Sequence, residues 1–329
     1  MKKGLLAVLC LLLFALPCMA KAPVVAFVTG SSGLGDLSFN DMAYGGIRKA
    51  QQEMGFKLIV LEPQQSGKTT EADILNVVKQ SDVILLQGAQ HTELAKWVVK
   101  KYPEKKFIFF EVPFQDYPNV SSVMFHQHEG SFLAGVLAAS VSKTGKVGFV
   151  GGTVVPPVQA FEQGYKEGAL YANPDVEVFI DYASPAGDFS GFSNPQKGHE
   201  LANQQYAKSA DVIFAVAGLT GNGVIEAARR TGNYAIGVDS DQDSLAKGFV
   251  LTSMIKRMDV ASYNELKEAL EGNFTAGVTF YGLKDHGVSL SEMKYTRDKI
   301  SPATLKLVDE AREKILAGEI KVTNLLPKN

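Results

Sequence analysis

Short apolar runs alternate along the chain with amphipathic stretches of helical period. The runs are continuous rather than two-periodic, as strands buried on both faces of a parallel sheet require. They predict strands at Val24–Val28, Lys57–Leu61, Val83–Leu86, Lys106–Phe110, Val120–Phe125, Lys146–Val150, Val176–Tyr182, Val212–Ala217, Tyr234–Val238 and Leu251–Met254. Helices are predicted between them: Phe39–Met54 after the first strand, then Glu71–Gln80 and Thr92–Lys101 after the next two. Trp97, inside the third of these, is expected to pack in the core. Glu129–Val141 sets Phe132, Leu133, Val136 and Leu137 on one face. Asn194 and Pro195 have the N-cap and first-turn chemistry of a helix start, and Gly232 closes a helix that begins near Asn222. The last helix, Ser301–Ala317, places Leu305, Val308, Ala311 and Ile315 at helical spacing and is expected to pack on one lobe.

The strand–helix series restarts near Lys146, so the pattern predicts an α/β protein of two doubly wound parallel-sheet lobes. No Gly/Ser linker separates the two series, which calls for several short crossings and a hinge. The expected division is residues 21–126 with 257–288 for one lobe and 127–256 with 289–329 for the other. A chain of 329 residues, 46% hydrophobic and with 31 glycines, is long enough for two packed lobes.

Residues 1–20 stand apart. Lys2 and Lys3 precede an apolar run from Leu5 to Leu16, and Cys18-Met19-Ala20 ends it with small residues where cleavage is determined. That is the layout of a secretory signal, too short to span a bilayer well. Cleavage after Ala20 removes Cys10 and Cys18, the only two cysteines, and leaves a thiol-free chain suited to an oxidising compartment such as the periplasm. The alternative is a lipid anchor on Cys18, but a lipobox wants small residues where Leu16 and Pro17 stand. With Lys2 and Lys3 gone the formal charge of −2 becomes −4. So mild an acidity argues against nucleic acid or an anionic membrane surface as the natural partner.

Ligands of open α/β sheets bind beyond the carboxyl ends of strands, so candidate chemistry is sought there. After the first strand, Thr29 to Asn40 holds three glycines without the spacing of a dinucleotide fingerprint or the lysine of a P-loop. Phe39 there could stack on a planar ligand and Asn40 could read a donor–acceptor edge, or the two could be a core residue and a cap. Glu111 ends the fourth strand, facing the crevice or solvent. The loop from Asp181 to Asn194 offers Phe189 or Phe192 as a second aromatic wall, or tucks both against the lobe. Gly218 lies in the Gly-rich turn Ala217–Gly223. Asp239 and Asp241 could hold vicinal hydroxyls, with Lys256 neutralising Asp239 or donating beside it. The further oxygen ligands of a calcium loop do not follow. No GxSxG, HExxH or cysteine nucleophile is present. The histidines (91, 126, 128, 199, 286) are scattered, and His126 and His128, set near a strand end, have no third ligand at metal spacing. No catalytic site, metal or cofactor is expected.

Taken in order, Gly35-Asp36-Leu37-Ser38-Phe39-Asn40, Glu129–Gly135, Phe161–Tyr165, Ala210–Phe214, Ala217–Gly223 and Ile236–Gln242 resemble the Bmp/PnrA-like (basic membrane protein) family of ABC-importer substrate-binding proteins over nearly the whole mature chain. The resemblance implies a type I periplasmic-binding-protein fold and a monomer. It implies a small-molecule ligand, of which a purine nucleoside is the first expectation, handed to a membrane permease. It also implies that Phe39 and Phe192 stack on the base, that Asn40 contacts it, that Asp239 and Lys256 hold the ribose, and that Gly218 lines the cleft. Asp36 and Glu111 complete the expected ligand-binding set. Two positions depart from the family pattern: Gly30 and Glu111 stand where relatives often carry Asp, both near the base. A free base or flavin-like ring is therefore the alternative ligand, and a sensory, ligand-presenting role the alternative function.

The intact mass of the exported protein is expected to correspond to a chain starting at Lys21. A mass carrying acyl chains on Cys18 would replace that reading with the anchored one.

Overall fold

The computed structural model describes residues 21–64 and 69–326; the expected leader and Cys18 lie outside the described residues. The chain begins β1 (Val24–Val28), α1 (Phe39–Met54), β2 (Lys57–Leu61), α2 (Glu71–Gln80), β3 (Val83–Gln87), α3 (Thr92–Lys101), β4 (Lys106–Phe110), β5 (Val120–Phe125). A second series follows: α4 (Gln127–Val141), β6 (Lys146–Thr153), α5 (Pro156–Ala172), β7 (Glu177–Ser184), α6 (Pro195–Ala207), β8 (Val212–Val216), α7 (Leu219–Thr231), β9 (Tyr234–Asp239), β10 (Val250–Lys256). The chain then adds α8 (Met258–Glu271), β11 (Gly277–Tyr281), β12 (Val288–Leu290) and α9 (Pro302–Leu316).

These strands form two six-stranded sheets, one per lobe, with orders β2-β1-β3-β4-β5-β11 and β7-β6-β8-β9-β10-β12. The first is parallel throughout. The second is parallel except for β12, which runs antiparallel to β10. The continuous apolar runs have a direct explanation. In β1, Val25 and Phe27 pack with Ala43, Ile47 and Ala50 of α1, while Ala26 and Val28 face α2 and α3 on the other side. The chain passes between sheets three times, at Phe125–Gln127, at Lys256–Met258 and between β11 and β12.

Helix ends follow local chemistry. The Asn194 side chain accepts from Lys197 N at 3.0 Å, with Pro195 in the first turn. Gly232 closes α7 at a left-handed φ of 76°, where a side chain would be strained. Backbone rather than side chains meets where α4 crosses α5. A Cβ on Gly135 would lie 2.1 Å from the Tyr165 carbonyl oxygen, and one on Gly168 would lie 1.9 Å from that of Phe132.

Three features differ from the sequence expectation. Trp97 is 43% exposed instead of core-packed. Ala95, Val98 and Val99 form the buried face of α3, and Trp97 lies outside it with the Lys101 ammonium 4.3 Å from its ring centroid. The edge strands β11 and β12 were not expected, because they are short and only partly buried and so lack a continuous apolar run. Helix α4 begins at Gln127, before the expected Glu129, so that His126, directly after β5, caps it and His128 lies in its first turn.

Gly168→Val is expected to lower the unfolding free energy by about 3 kcal/mol or more in urea titration, since two helix backbones must separate to admit it. Gly45→Ala, at an exposed position of α1 with open space around it, is expected to raise it by about 0.5–1 kcal/mol.

Candidate functional site

In this strand order the crevice lies where successive crossovers leave in opposite directions, between the first and third strands of each series. The two lobes set these switch points face to face. From the first lobe, Gly30–Ser32 after β1 and Gly88–Gln90 after β3 line a cavity between the lobes; from the second, Val155, Pro157 and Val158 after β6 and Val216–Gly218 at the end of β8 do so. Phe39, Phe161, Phe189 and Phe192 give it aromatic walls, and Glu111, Asp239 and Lys256 a charged edge. The enclosed space is small in this arrangement of the lobes, about 80 Å³.

The charged edge is a buried ion triad that spans the lobes. Lys256 Nζ, at the end of β10, lies 2.9 Å from Glu111 Oε1, just past β4, and 3.3 Å from Asp239 Oδ1, at the end of β9. Burial alone would push the lysine pKa down; the Glu111 and Asp239 carboxylates outweigh it and hold the pKa above its ordinary 10.5. The rings of Phe39, Phe161 and Phe125 surround the ammonium with centroids at 4.7, 5.3 and 5.5 Å, adding cation–π attraction. Both acids have left-handed backbones, φ 66° at Glu111 and 65° at Asp239. Such a conformation costs a non-glycine residue about 1–3 kcal/mol and tends to mark functional sites; here it turns each carboxylate toward the lysine. Asp239 Oδ2 accepts from Ser38 Oγ at 2.6 Å across the cleft. Its Oδ1 is buried with no hydrogen bond, held only by the looser ion pair.

Six of the expected site residues, Phe39, Glu111, Phe192, Gly218, Asp239 and Lys256, line the cavity together. Asp36 and Asn40 do not reach it; both are fully buried behind its wall. Ser38 caps α1 without a side-chain bond, so the first amides of the helix need another acceptor. Asp36 supplies it, accepting from the backbone N–H of Ser38, Asn40 and Asp41 at 3.0, 3.0 and 3.2 Å. Asn40 spends its amide on the same loop, donating to Asp36 at 2.9 Å and accepting from Gly30 N at 2.7 Å. The loop they hold touches the other lobe. The Leu37 carbonyl accepts from Ser240 Oγ at 2.5 Å and Gln242 Nε2 at 3.0 Å, and the Asp36 carbonyl from Asn222 Nδ2 at 3.3 Å.

Both candidate loop aromatics, Phe189 and Phe192, face the cavity. Phe192 can lie there because residue 152 has no side chain: a Cβ would sit 2.3 Å from its ring. Gly218, at φ 54°, brings α7 to within van der Waals reach of Phe192 and Ser32. Sequence reasoning passed over Ser38, the β6–α5 turn with Phe161, and Gln90. The end of β3 could have been found by the strand-end rule, since Gln87-Gly88-Ala89-Gln90 is polar and follows an apolar run.

The family profile described as "Bmp: ABC transporter substrate-binding protein PnrA-like" matches residues 23–325. The chain belongs to this family. The CD4+ T-cell-stimulating antigen of Listeria monocytogenes is 34% identical over 320 residues, covering 91% of this chain and 87% of that protein. Basic membrane protein A of Borreliella afzelii is 34% identical over 296 residues, covering 87% of each. Among solved structures, an ABC transporter solute-binding protein from Aeropyrum pernix K1 is similar with a TM-score of 0.84 at 29% identity, over 93% of this chain and 94% of that one. The two-lobed fold is that of type I periplasmic solute-binding proteins. Among the described residues no helix is long and apolar enough to cross a membrane.

Lys256→Ala is expected to lower stability by about 3–5 kcal/mol, because it strands two buried carboxylates without a counter-charge. Replacing all three charges, with Lys256→Met, Glu111→Gln and Asp239→Asn, is expected to recover most of that loss in urea titration. In the wild type the raised lysine pKa makes this contribution full below pH 10.5 and lost only as the pH climbs through the folded-state value.

Proposed function

We propose that the chain is the extracytoplasmic receptor of an ABC importer and that its ligand is a nucleoside, a purine nucleoside first. The observation that carries this reading is Asp239 Oδ1, a buried acceptor with no hydrogen bond, beside a lysine and between aromatic walls. Phe39 and Phe192 stack on the base, which selects flat rings and buries apolar area. Asp239 accepts from ribose hydroxyls and Lys256 donates to them, both as charge-assisted bonds. A neutral ligand adds no net charge to a triad that already carries one excess negative charge. Closure keeps water from these bonds and strengthens them. It also joins the Leu37 loop to the second lobe, so that a permease meets a surface built from both lobes.

The same cavity offers a second reading. Its aromatic walls, Phe39, Phe161, Phe189 and Phe192, suit any flat ring, a flavin-like heterocycle as well as a purine.

Calorimetry of the ligand-free mature protein with inosine, guanosine, adenosine, uridine and adenine tests the proposal. Asp239→Ala is expected to weaken nucleoside binding about 10- to 100-fold, the worth of one charge-assisted hydrogen bond. Glu111→Gln, which keeps the shape and loses only a charge, is expected to cost less. Equal losses would overturn the ribose assignment, and binding of adenine as tight as adenosine would favour the second reading.

A further inference from the structure

A second cluster of donor atoms lies outside the cleft, at the first crossing between the lobes. His126 caps α4, and His128 and Glu129 occupy its first turn. One ring nitrogen of each histidine and one carboxylate oxygen of Glu129 lie within 4.8 Å of one another. The expectation that no third ligand accompanies the two histidines is thereby corrected: the helical turn starting at His126 brings Glu129 round to them.

The three side chains are held in place from outside. The His126 ring stacks on Phe280 of β11 with centroids 4.9 Å apart. The two imidazoles meet edge to face at 5.3 Å and 89°. Glu129 Oε2 accepts from Leu283 N at 2.9 Å. Gly282 closes the cluster with bare backbone, since a Cβ there would sit 2.9 Å from both Glu129 Oε2 and His126 Cδ2. His128 is 5% exposed, and the Nδ1 atoms of His126 and His128 are buried with no hydrogen-bond partner. A buried polar atom left unpaired costs about 1–3 kcal/mol, so such atoms call for a partner.

We propose that His126, His128 and Glu129 bind a divalent transition-metal ion of the zinc type. Two imidazoles and a carboxylate suit zinc, nickel or copper and not calcium or magnesium, which take oxygen ligands. Three protein ligands leave a fourth tetrahedral position for water. Metal–ligand bonds of about 2.0–2.1 Å set donors roughly 3.4 Å apart, so the cluster contracts by side-chain rotation when it loads. The Leu283 N–H then orients a ligating carboxylate from the second shell. All three ligands lie at the first crossing, and the Glu129–Leu283 hydrogen bond links the site to the crossing from β11 to β12.

The test uses the tag-free mature chain, stripped with chelator and titrated with Zn²⁺ in a calorimeter, with metal content read by mass spectrometry. One saturable ion per chain is expected, with a rise in the thermal midpoint on loading. Co²⁺ in its place is expected to give the visible bands of a tetrahedral ion. Glu129→Gln, which keeps an acceptor for Leu283 N, and His126→Asn are each expected to weaken Zn²⁺ at least about tenfold and to lose the rise in thermal midpoint that Zn²⁺ gives the wild type over its own metal-free form. His128→Asn replaces the more deeply buried ligand; if it fails to fold, the other two variants and the Co²⁺ spectrum decide. No saturable uptake by the wild type, an octahedral Co²⁺ spectrum, or full binding by both variants would overturn the proposal.

Discussion

A lysine ammonium buried among phenylalanine rings keeps its charge only if carboxylates come to it. In this protein they come from different lobes: Asp239 from the sheet that also carries Lys256, and Glu111 from the other sheet. The charge is therefore satisfied in full only when the lobes meet. The charged edge of the cavity and this contact between the lobes rest on the same three residues. The left-handed turns at Glu111 and Asp239 belong to this arrangement. Each stores strain at a strand end, and the surrounding sheet can hold it because the strands themselves are buried on both faces.

The rest of the molecule places that contact. Matching strand order in the two sheets sets both switch points at the cleft, so the segments after β1, β3, β6 and β8 line it, together with the loop bearing Phe189 and Phe192. Glycine serves two separate purposes. At 152 and 218 it leaves room for the Phe192 aromatic wall; at 135 and 168 it lets α4 and α5 touch through their backbones. The second use packs α4 and α5 at backbone distance beside the first crossing. The His126–His128–Glu129 cluster lies where two of the three crossings between the lobes approach each other.

Interlobe hydrogen bonding also explains why Asp36 and Asn40 are not at the cavity surface. The loop between β1 and α1 must present the Leu37 carbonyl to Ser240 and Gln242 and the Ser38 hydroxyl to Asp239. Holding it requires a buried acceptor for the first amides of α1, and the two polar residues beside Phe39 are used for that. Phe39, the aromatic member of the same motif, is the one that faces the cavity.

Much of this was legible in the chain itself. Strand and helix positions follow from local periodicity, because a strand covered on both faces must be apolar throughout and a covered helix apolar on one side. The doubling of the series, the cap at Asn194 and the stop at Gly232 are likewise local. The motif from Gly35 to Asn40 and that from Ile236 to Gln242 each contribute residues to the cavity wall, Phe39 from one and Val238 and Asp239 from the other. Tertiary structure decided which side chains of those motifs face the cavity and which support it. It also decided that Trp97 lies outside the core and that Glu111 meets a lysine 145 positions away. A contact across two lobes depends on how the sheets are set against each other, and no spacing along one strand or helix records that.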